Sequence, residues 1–384
     1  MTKSPFACYY INVNIKGGLS VLKKIILILF SLFLSCCSFV GCDNSPQFAF
    51  DGTFERISAF ENGYAVVWQD GGPLLIDTKG TTALSGDYDE IYGVSEGFAL
   101  FERAGKYGFA ALEEHHSIQA IYDSANGFSG GYARVMLRHG YGMQYNYVDT
   151  EGDLLLQYPQ GSNTCTFETE NGSLEVEISN TAPFSDGAAA VCNTTGNWAL
   201  IDDHGTLLTD FIFQNFTQFS NGVAKCTSSN EAPLYIDTEG NELFVLDANE
   251  SYTLTGGRIR FLRGTLYGYA DEEGNIAIEP QYAQATDFDE ETGRALAQGS
   301  DGTFYVIDKN GNATKISAEI SSAESFSDGL AAVRLADGNF AYVNENGQVC
   351  SQRFDQTMTC SDGLCPVNSD GTLGYIDKNA LTFA

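Results

Sequence analysis

Beyond about residue 48 the chain is a succession of short apolar runs, each bounded by clusters of Gly, Asn, Asp and Ser. Leu330-Ala331-Ala332-Val333-Arg334 and Phe98-Ala99-Leu100-Phe101-Glu102 are two of them, and each follows a glycine. Runs of this length with turn residues at both ends predict strands, and nothing sustains the 3.6-residue period of an amphipathic helix. The leading glycine recurs at Gly63, Gly97, Gly131, Gly187, Gly222, Gly257, Gly293, Gly329 and Gly363, about 35 residues apart with one longer step between Gly131 and Gly187. A fixed period of this size predicts an array built from one supersecondary unit.

Each unit divides into three strand segments. Two residues after the glycine stands Ala in seven units (Ala65, Ala99, Ala133, Ala189, Ala224, Ala295, Ala331), and four residues after it every unit is apolar. Strand side chains alternate, so both columns share one buried face whose first position admits only a small side chain. The second segment ends in a turn that recurs as IDTKG at Ile76, VDTEG at Val148, IDDHG at Ile201, IDTEG at Ile236, ADEEG at Ala270, IDKNG at Ile307 and VNENG at Val343. Asp or Asn there accepts a hydrogen bond from the backbone two residues on, and the glycine supplies a left-handed conformation, so these are hairpin turns rather than calcium loops. The third segment carries an aromatic residue and a terminal aromatic six places on, as in Tyr122 through Phe128, and runs into the next glycine through Phe184-Ser185-Asp186-Gly187 or Phe326-Ser327-Asp328-Gly329.

FSDGLAAVR at Phe326 to Arg334, LGYIDKN at Leu373 to Asn379 and KYGF at Lys106 to Phe109 resemble the WG (KWG) repeat of bacterial proteins. The resemblance covers almost all of Phe48 to Ala384. The repeat's tryptophan is present as Trp198, while Tyr107, Tyr267, Phe340 and Leu373 take its place elsewhere. The resemblance implies an all-β, largely non-catalytic and often surface-located array.

Phe54 to Phe60 matches a third segment with no unit before it, and the last unit stops at Ala384 after its second segment. Splitting one unit between the termini leaves no unpaired edge, so the expected fold is all-β, about nine three-stranded units in a closed propeller-like ring. The alternative is an open β-repeat solenoid, which would prefer polar capping units. The longer step holds an insertion at about 158–179, in which Thr166 to Glu170 and Ser173 to Ile178 flank Asn171-Gly172, a strong hairpin signal. This hairpin is expected to project from the ring.

Composition sharpens the picture. The 50 acidic and 20 basic side chains, a net charge of −30, argue against nucleic acid as a partner. The 41 glycines, 20 tyrosines and 26 phenylalanines suit short strands and tight turns, and exclude a helical bundle or a disordered chain.

Lys23-Lys24, the uncharged run Ile25 to Val40, and Gly41-Cys42 have the order of a secretory signal. Phe39-Val40-Gly41-Cys42 resembles a bacterial lipobox, which implies a lipid on Cys42 and a membrane-anchored extracytoplasmic protein; the alternative is a secreted one. Residues 1–41 are therefore read as a signal with an N-terminal extension upstream of the true start, 42–47 as a linker, and 48–384 as the repeat domain. Six cysteines remain in it: Cys165, Cys192, Cys226, Cys350, Cys360 and Cys365. They lack paired CxxC spacing, and the sequence leaves disulfides among them or buried free thiols open.

No nucleophile elbow, zinc-protease helix motif or phosphate loop is present. His115 and His116 fall in a turn, where exposure rather than metal binding is expected. The expected function is a lipid-anchored, non-catalytic scaffold binding protein or glycan at the cell envelope, without cofactor or metal. Its ligand-binding residues are not declared by any motif. The alternative is an envelope glycoside hydrolase or related hydrolase using paired carboxylates on the ring.

Overall fold

The computed structural model describes residues 47–112, 116–140, 142–169, 172–227 and 232–383. The signal-like segment, Cys42 and His115 lie outside them. The described residues form nine small antiparallel sheets, here called blades one to nine, spanning 56–84, 90–122, 124–149, 164–201, 224–245, 250–282, 284–315, 320–344 and 356–377. Successive strands within a blade are neighbours, and the blades follow one another as a ring, a nine-bladed β-propeller.

The strand opened by the recurring glycine is the second of most blades, and the third sequence segment is the first strand of the blade that follows it. Blade two has the full pattern: Glu90–Ser95, Phe98–Arg103, Lys106–Ala111 and Ile118–Tyr122. Five blades carry four strands rather than the expected three. In blades one, six and seven the extra strand arises because the DxxG turn folds the chain back to pair once more, as Thr82–Leu84 does beside Gly72–Asp77; in blade four it is the inserted strand Thr164–Thr169.

Those turns are held as their sequence requires. Asp77 Oδ1 accepts from the Lys79 amide at 2.9 Å and the Thr81 amide at 2.8 Å. Asp149, Asp202, Asp237, Asp271, Asp308 and Asn344 repeat the same double acceptance.

The core lies between blades. The seven alanines two residues after the glycine are at most 1% exposed, and the apolar position two further on is buried in every blade. On the strand that follows the glycine-led one runs a buried column that is aromatic in six blades and Leu75, Leu200 and Val306 in the other three. Tyr147, Tyr269 and Tyr375 meet Phe184, Phe288 and Phe60 of the next blade edge-on, with centroids 4.8, 4.8 and 4.9 Å apart. Phe109 meets Phe128 in the same way at 5.0 Å. The tyrosine hydroxyls then donate to a carbonyl two residues before that aromatic position: Tyr147 to Ala182, Tyr269 to Thr286 and Tyr375 to Ser58. Tyr235 to Tyr252 and Tyr342 to Met358 follow the same rule where the partner column holds Leu254 and Cys360.

The glycine of the WG pair has a steric cause. A Cβ on Gly108 would lie 2.7 Å from the Ala120 nitrogen, and one on Gly268 2.7 Å from the Ile278 carbonyl oxygen, because the fourth strand crosses directly over it. In blade nine the same place over Gly374 is taken by the ring of Phe48, and the Ala49 amide donates to the Tyr375 carbonyl at 2.7 Å. The N-terminal segment thus stands where other blades have a fourth strand. Phe54 to Phe60, by contrast, belongs to blade one, where Arg56–Ile57 pairs with Trp68 and Val67.

The insertion forms its hairpin, with Thr164–Thr169 against Gly172–Thr181 in the register Thr169↔Gly172. It is not an appendage: the second strand continues to pair Thr181 with Val191, and so is also the first ring strand of blade four. Cys165 and Phe167 are buried in the blade-three to blade-four core, which ties the hairpin down.

Of the six cysteines, Cys360 and Cys365 form a disulfide, and Cys165, Cys192, Cys226 and Cys350 are buried free thiols. Cys360 occupies the terminal aromatic column and Cys365 the small-residue column. The covalent pair replaces an aromatic-on-alanine contact.

Candidate functional site

The acidic side chains nearest the repeated glycines are bound to backbone. The residue before the glycine adopts a left-handed conformation in six turns (Asn62, Glu96, Asp186, Asn221, Asp328, Asp362; φ 48° to 55°), a region that Asn and Asp tolerate best. From there its carboxylate reaches the next blade. Glu96 accepts from the Gly130 and Gly131 amides at 2.8 and 2.9 Å, Asp186 from Gly222 at 2.9 Å, Asp328 from Gly363 at 2.6 Å and Asp362 from Gly63 at 3.0 Å. Asp328 also pairs with the ammonium of Lys378. These acids act as latches between blades. The Glu61 carboxyl beside Asp362 is pushed upward, by burial first and by the Asp362 charge second.

A second column, three residues after the glycine, is buried and apolar in six blades as Val66, Leu100, Ala190, Leu296, Ala332 and Pro366. In blades three, five and six it holds Arg134, Lys225 and Arg260, each reaching across the gap. Arg134 donates to Thr181 and Asn180, Lys225 Nζ to the Ser251 carbonyl at 2.6 Å, and Arg260 to Asp287 at 2.8 Å and to the Ala285 carbonyl. The Arg260 guanidinium also lies 3.8 Å from the Tyr252 ring centre.

Cations in place of packed apolar groups leave the gap between blades five and six open. The cleft has a volume of about 640 Å³ and is lined by Thr217, Lys225, Thr227, Ser251, Tyr252 and Asp287 among others. Burial depresses the Lys225 ammonium, against the pull of Glu250, and pushes the Tyr252 phenol up to about 12. Burial likewise pushes the Cys226 thiol at the cleft wall up to about 12, which keeps it protonated and a poor nucleophile. Lys225 is committed to the carbonyl of Ser251, not to its hydroxyl. The arrangement offers donors and acceptors to a ligand but no activated nucleophile.

The motifs had left ligand-binding residues undeclared, and neither this cleft nor the tyrosine column was foreseen. The tyrosine was readable, since an aromatic two residues before the turn Asp or Asn recurs in YVDTEG, YIDTEG, YADEEG and YVNENG. The cleft was not, because it depends on which single residue in each blade fails to pack. His116 is exposed, in keeping with its turn. Asp202, Asp203 and His204 lie together on an exposed turn, with Asp202 Oδ1 already accepting the amides of His204 and Thr206.

Among known proteins, the model of the WG containing repeat matches residues 75–107, 117–138, 198–225, 267–298 and 306–339. No curated protein sequence matches the chain. Similar solved structures include a eukaryotic initiation factor, 14% identical over 74% of this chain and 94% of its own, with a TM-score of 0.40. BamB from Moraxella catarrhalis is 14% identical over 87% of this chain and 94% of its own, with a TM-score of 0.34. Apo AztD from Citrobacter koseri is 14% identical over 83% and 96%, with a TM-score of 0.36. The chain thus carries the WG containing repeat in five stretches, within blades that close into a nine-membered ring.

Proposed function

We propose that the protein is a non-catalytic scaffold, lipid-anchored through Cys42 on the extracytoplasmic side of a membrane, that binds protein or glycan at the cell envelope. The observation that carries this reading is the commitment of the repeated carboxylates to backbone amides, in turn caps at Asp77 to Asp308 and in latches at Glu96, Asp186, Asp328 and Asp362. Acids spent in this way build a framework and are poorly placed to shuttle protons. The order Lys23-Lys24, apolar run, Gly41-Cys42 supports the anchor.

One pair favours the hydrolase alternative: Glu61, whose carboxyl is pushed upward by burial and then by the charge of the neighbouring Asp362. A panel of envelope glycans incubated with the protein separates the two readings. The scaffold retains a binding partner in pull-downs from envelope extract and releases no product. Turnover that disappears in Glu61→Gln would replace the scaffold reading with the hydrolase.

A further inference from the structure

We infer that the outer rim of blades four and five is a docking surface for a partner polypeptide segment that alternates basic and apolar side chains, an inference that rests on the scaffold reading above and names the chemistry of its protein partner. The outermost chain of blade four, residues 206–213, lies beyond the last strand of its sheet. Leu207 and Phe211 pack inward there, and the Thr209 hydroxyl accepts from the Leu200 amide. By alternation Leu208, Asp210 and Ile212 turn outward, and the two apolar side chains are 42% and 63% exposed. In blade five the edge strand is Glu242–Val245. Phe244 and Leu246 face the core, while Leu243, Val245 and Asp247 turn outward, Leu243 and Val245 being 46% and 55% exposed. The two edges adjoin, because a Cβ on Gly240, in the turn that leads into the blade-five edge, would meet Thr209 of the blade-four edge. Four large apolar side chains therefore stand on one continuous rim.

Charge selects the occupant. Open sheet edges are ordinarily blunted by lysine or by short polar strands, as blade seven does with Ala313–Lys315. The rim of blades four and five has no such guard. From His139 to Gly257 the sequence holds 17 Asp and Glu against one basic side chain, Lys225, whereas the rest of the chain beyond residue 41 holds 33 against 15. Lys225 itself is drawn inward to the Ser251 carbonyl. Among the described residues, seven of the eight exposed large apolar side chains fall in this same stretch, so greasy surface and uncompensated negative charge coincide. A second copy of the chain would bring like charge, and an anionic lipid surface would be repelled as well. A neutral apolar segment would strip water from the exposed Asp210 and Glu242 and return nothing to them. Asp247 already has Arg263 at 3.5 Å. A segment of alternating Lys or Arg and apolar residues covers Leu208, Ile212, Leu243 and Val245 and neutralises the acids between them.

The test is fluorescence anisotropy of the intact protein with three labelled octapeptides, alternating Leu with Lys, Leu with Glu, and Ser with Lys. The Leu-Lys peptide should bind with a Kd of about 100 μM or below. The Leu-Glu peptide should be repelled, and the Ser-Lys peptide should bind roughly tenfold more weakly for want of apolar contact. Ile212→Ser combined with Val245→Ser should weaken the Leu-Lys peptide by roughly tenfold. Asp210→Asn combined with Glu242→Gln should weaken it by roughly threefold, and keeps the test alive if the serine variant misfolds. Glu319→Gln combined with Glu345→Gln removes the same charge from exposed sites beside blade eight and should change nothing. No binding of the Leu-Lys peptide, equal binding of the Ser-Lys or Leu-Glu peptide, or wild-type affinity in both rim variants overturns the docking surface. An envelope partner captured equally by the wild-type protein and both rim variants also overturns it and leaves the scaffold reading standing. Glycan turnover would reject the scaffold reading while leaving the peptide result intact, so the two fail separately.

Discussion

The phenol of Tyr375 in blade nine donates a 2.9 Å hydrogen bond to the carbonyl of Ser58 in blade one, 317 residues away in the chain. It is the bond that Tyr147 makes to Ala182 and Tyr269 to Thr286 between consecutive blades. The seam therefore uses the repeat's own joint. Phe50 and Phe54 join Tyr375 in the apolar cluster that also holds Ile57, Phe60 and Leu373.

Tyr375→Phe removes the donor and leaves a buried carbonyl unpaired, at an expected cost of about 1–3 kcal/mol. Denaturant melts should show it. Deleting Phe48 to Phe60 should go further and lower hydrogen-exchange protection in blades one and nine together. Protection retained around Leu373 to Asp377 in that deletion would mean the seam does not hold blade nine.

Ala99, Ala189 and Ala331 sit where sheets approach most closely, so Ala331→Leu should cost roughly 1–3 kcal/mol by overpacking. Glu239→Ala, exposed in its turn, should stay within about 0.5 kcal/mol. Thermal melts that rank the two the other way would reverse the assignment of the buried face.

Gly108→Ala and Gly268→Ala place a methyl group against backbone of the fourth strand and should destabilise by about 1–3 kcal/mol. Gly374→Ala meets the Phe48 ring first, a side chain on the terminal segment that can swing aside, so its cost should be smaller. Equal losses at all three sites would show that the terminal segment is as firmly held as a paired strand.

The Cys360–Cys365 link closes a short loop, so Cys360→Ser should cost about 2 kcal/mol. Because these two positions are the aromatic and small columns, Cys360→Phe combined with Cys365→Ala should recover most of that loss. Melts of the double variant no better than Cys360→Ser would refute the equivalence of the columns.

The Asp308 carboxyl is held below its ordinary value of 3.8, chiefly by the Asn312 side chain and then by backbone amides. A depressed native value means that the turn's stabilisation is present above the unfolded value, about 3.9, and is lost as pH falls through the lower native one. Acid unfolding followed by circular dichroism should be less steep below pH about 4 in Asp308→Asn.

The repeat was legible because its signals are local. The DxxG turns need Asp and Gly at fixed offsets, and Ala65 to Ala331 mark a face by alternation alone. What escaped the sequence depends on partners far along the chain. The fate of Cys360 and Cys365 could not be told from that of Cys350 without knowing which two share a cross-strand position. Phe48 reads as an ordinary apolar residue until Gly374 is placed beneath it. The cleft exists because Lys225 stands where Leu296 and Ala332 pack, a difference in volume and charge that a repeat alignment registers only as variation.

Because Tyr375 to Ser58 and Asp362 to Gly63 repeat the joints found between successive blades, the ring has no structurally privileged origin. The covalent gap is simply the one interval that happens to lack a connecting loop. A circular permutant that joins the present ends and opens the chain at another exposed turn would keep every one of these joints, and so should arrive at the same ring by a different order of synthesis.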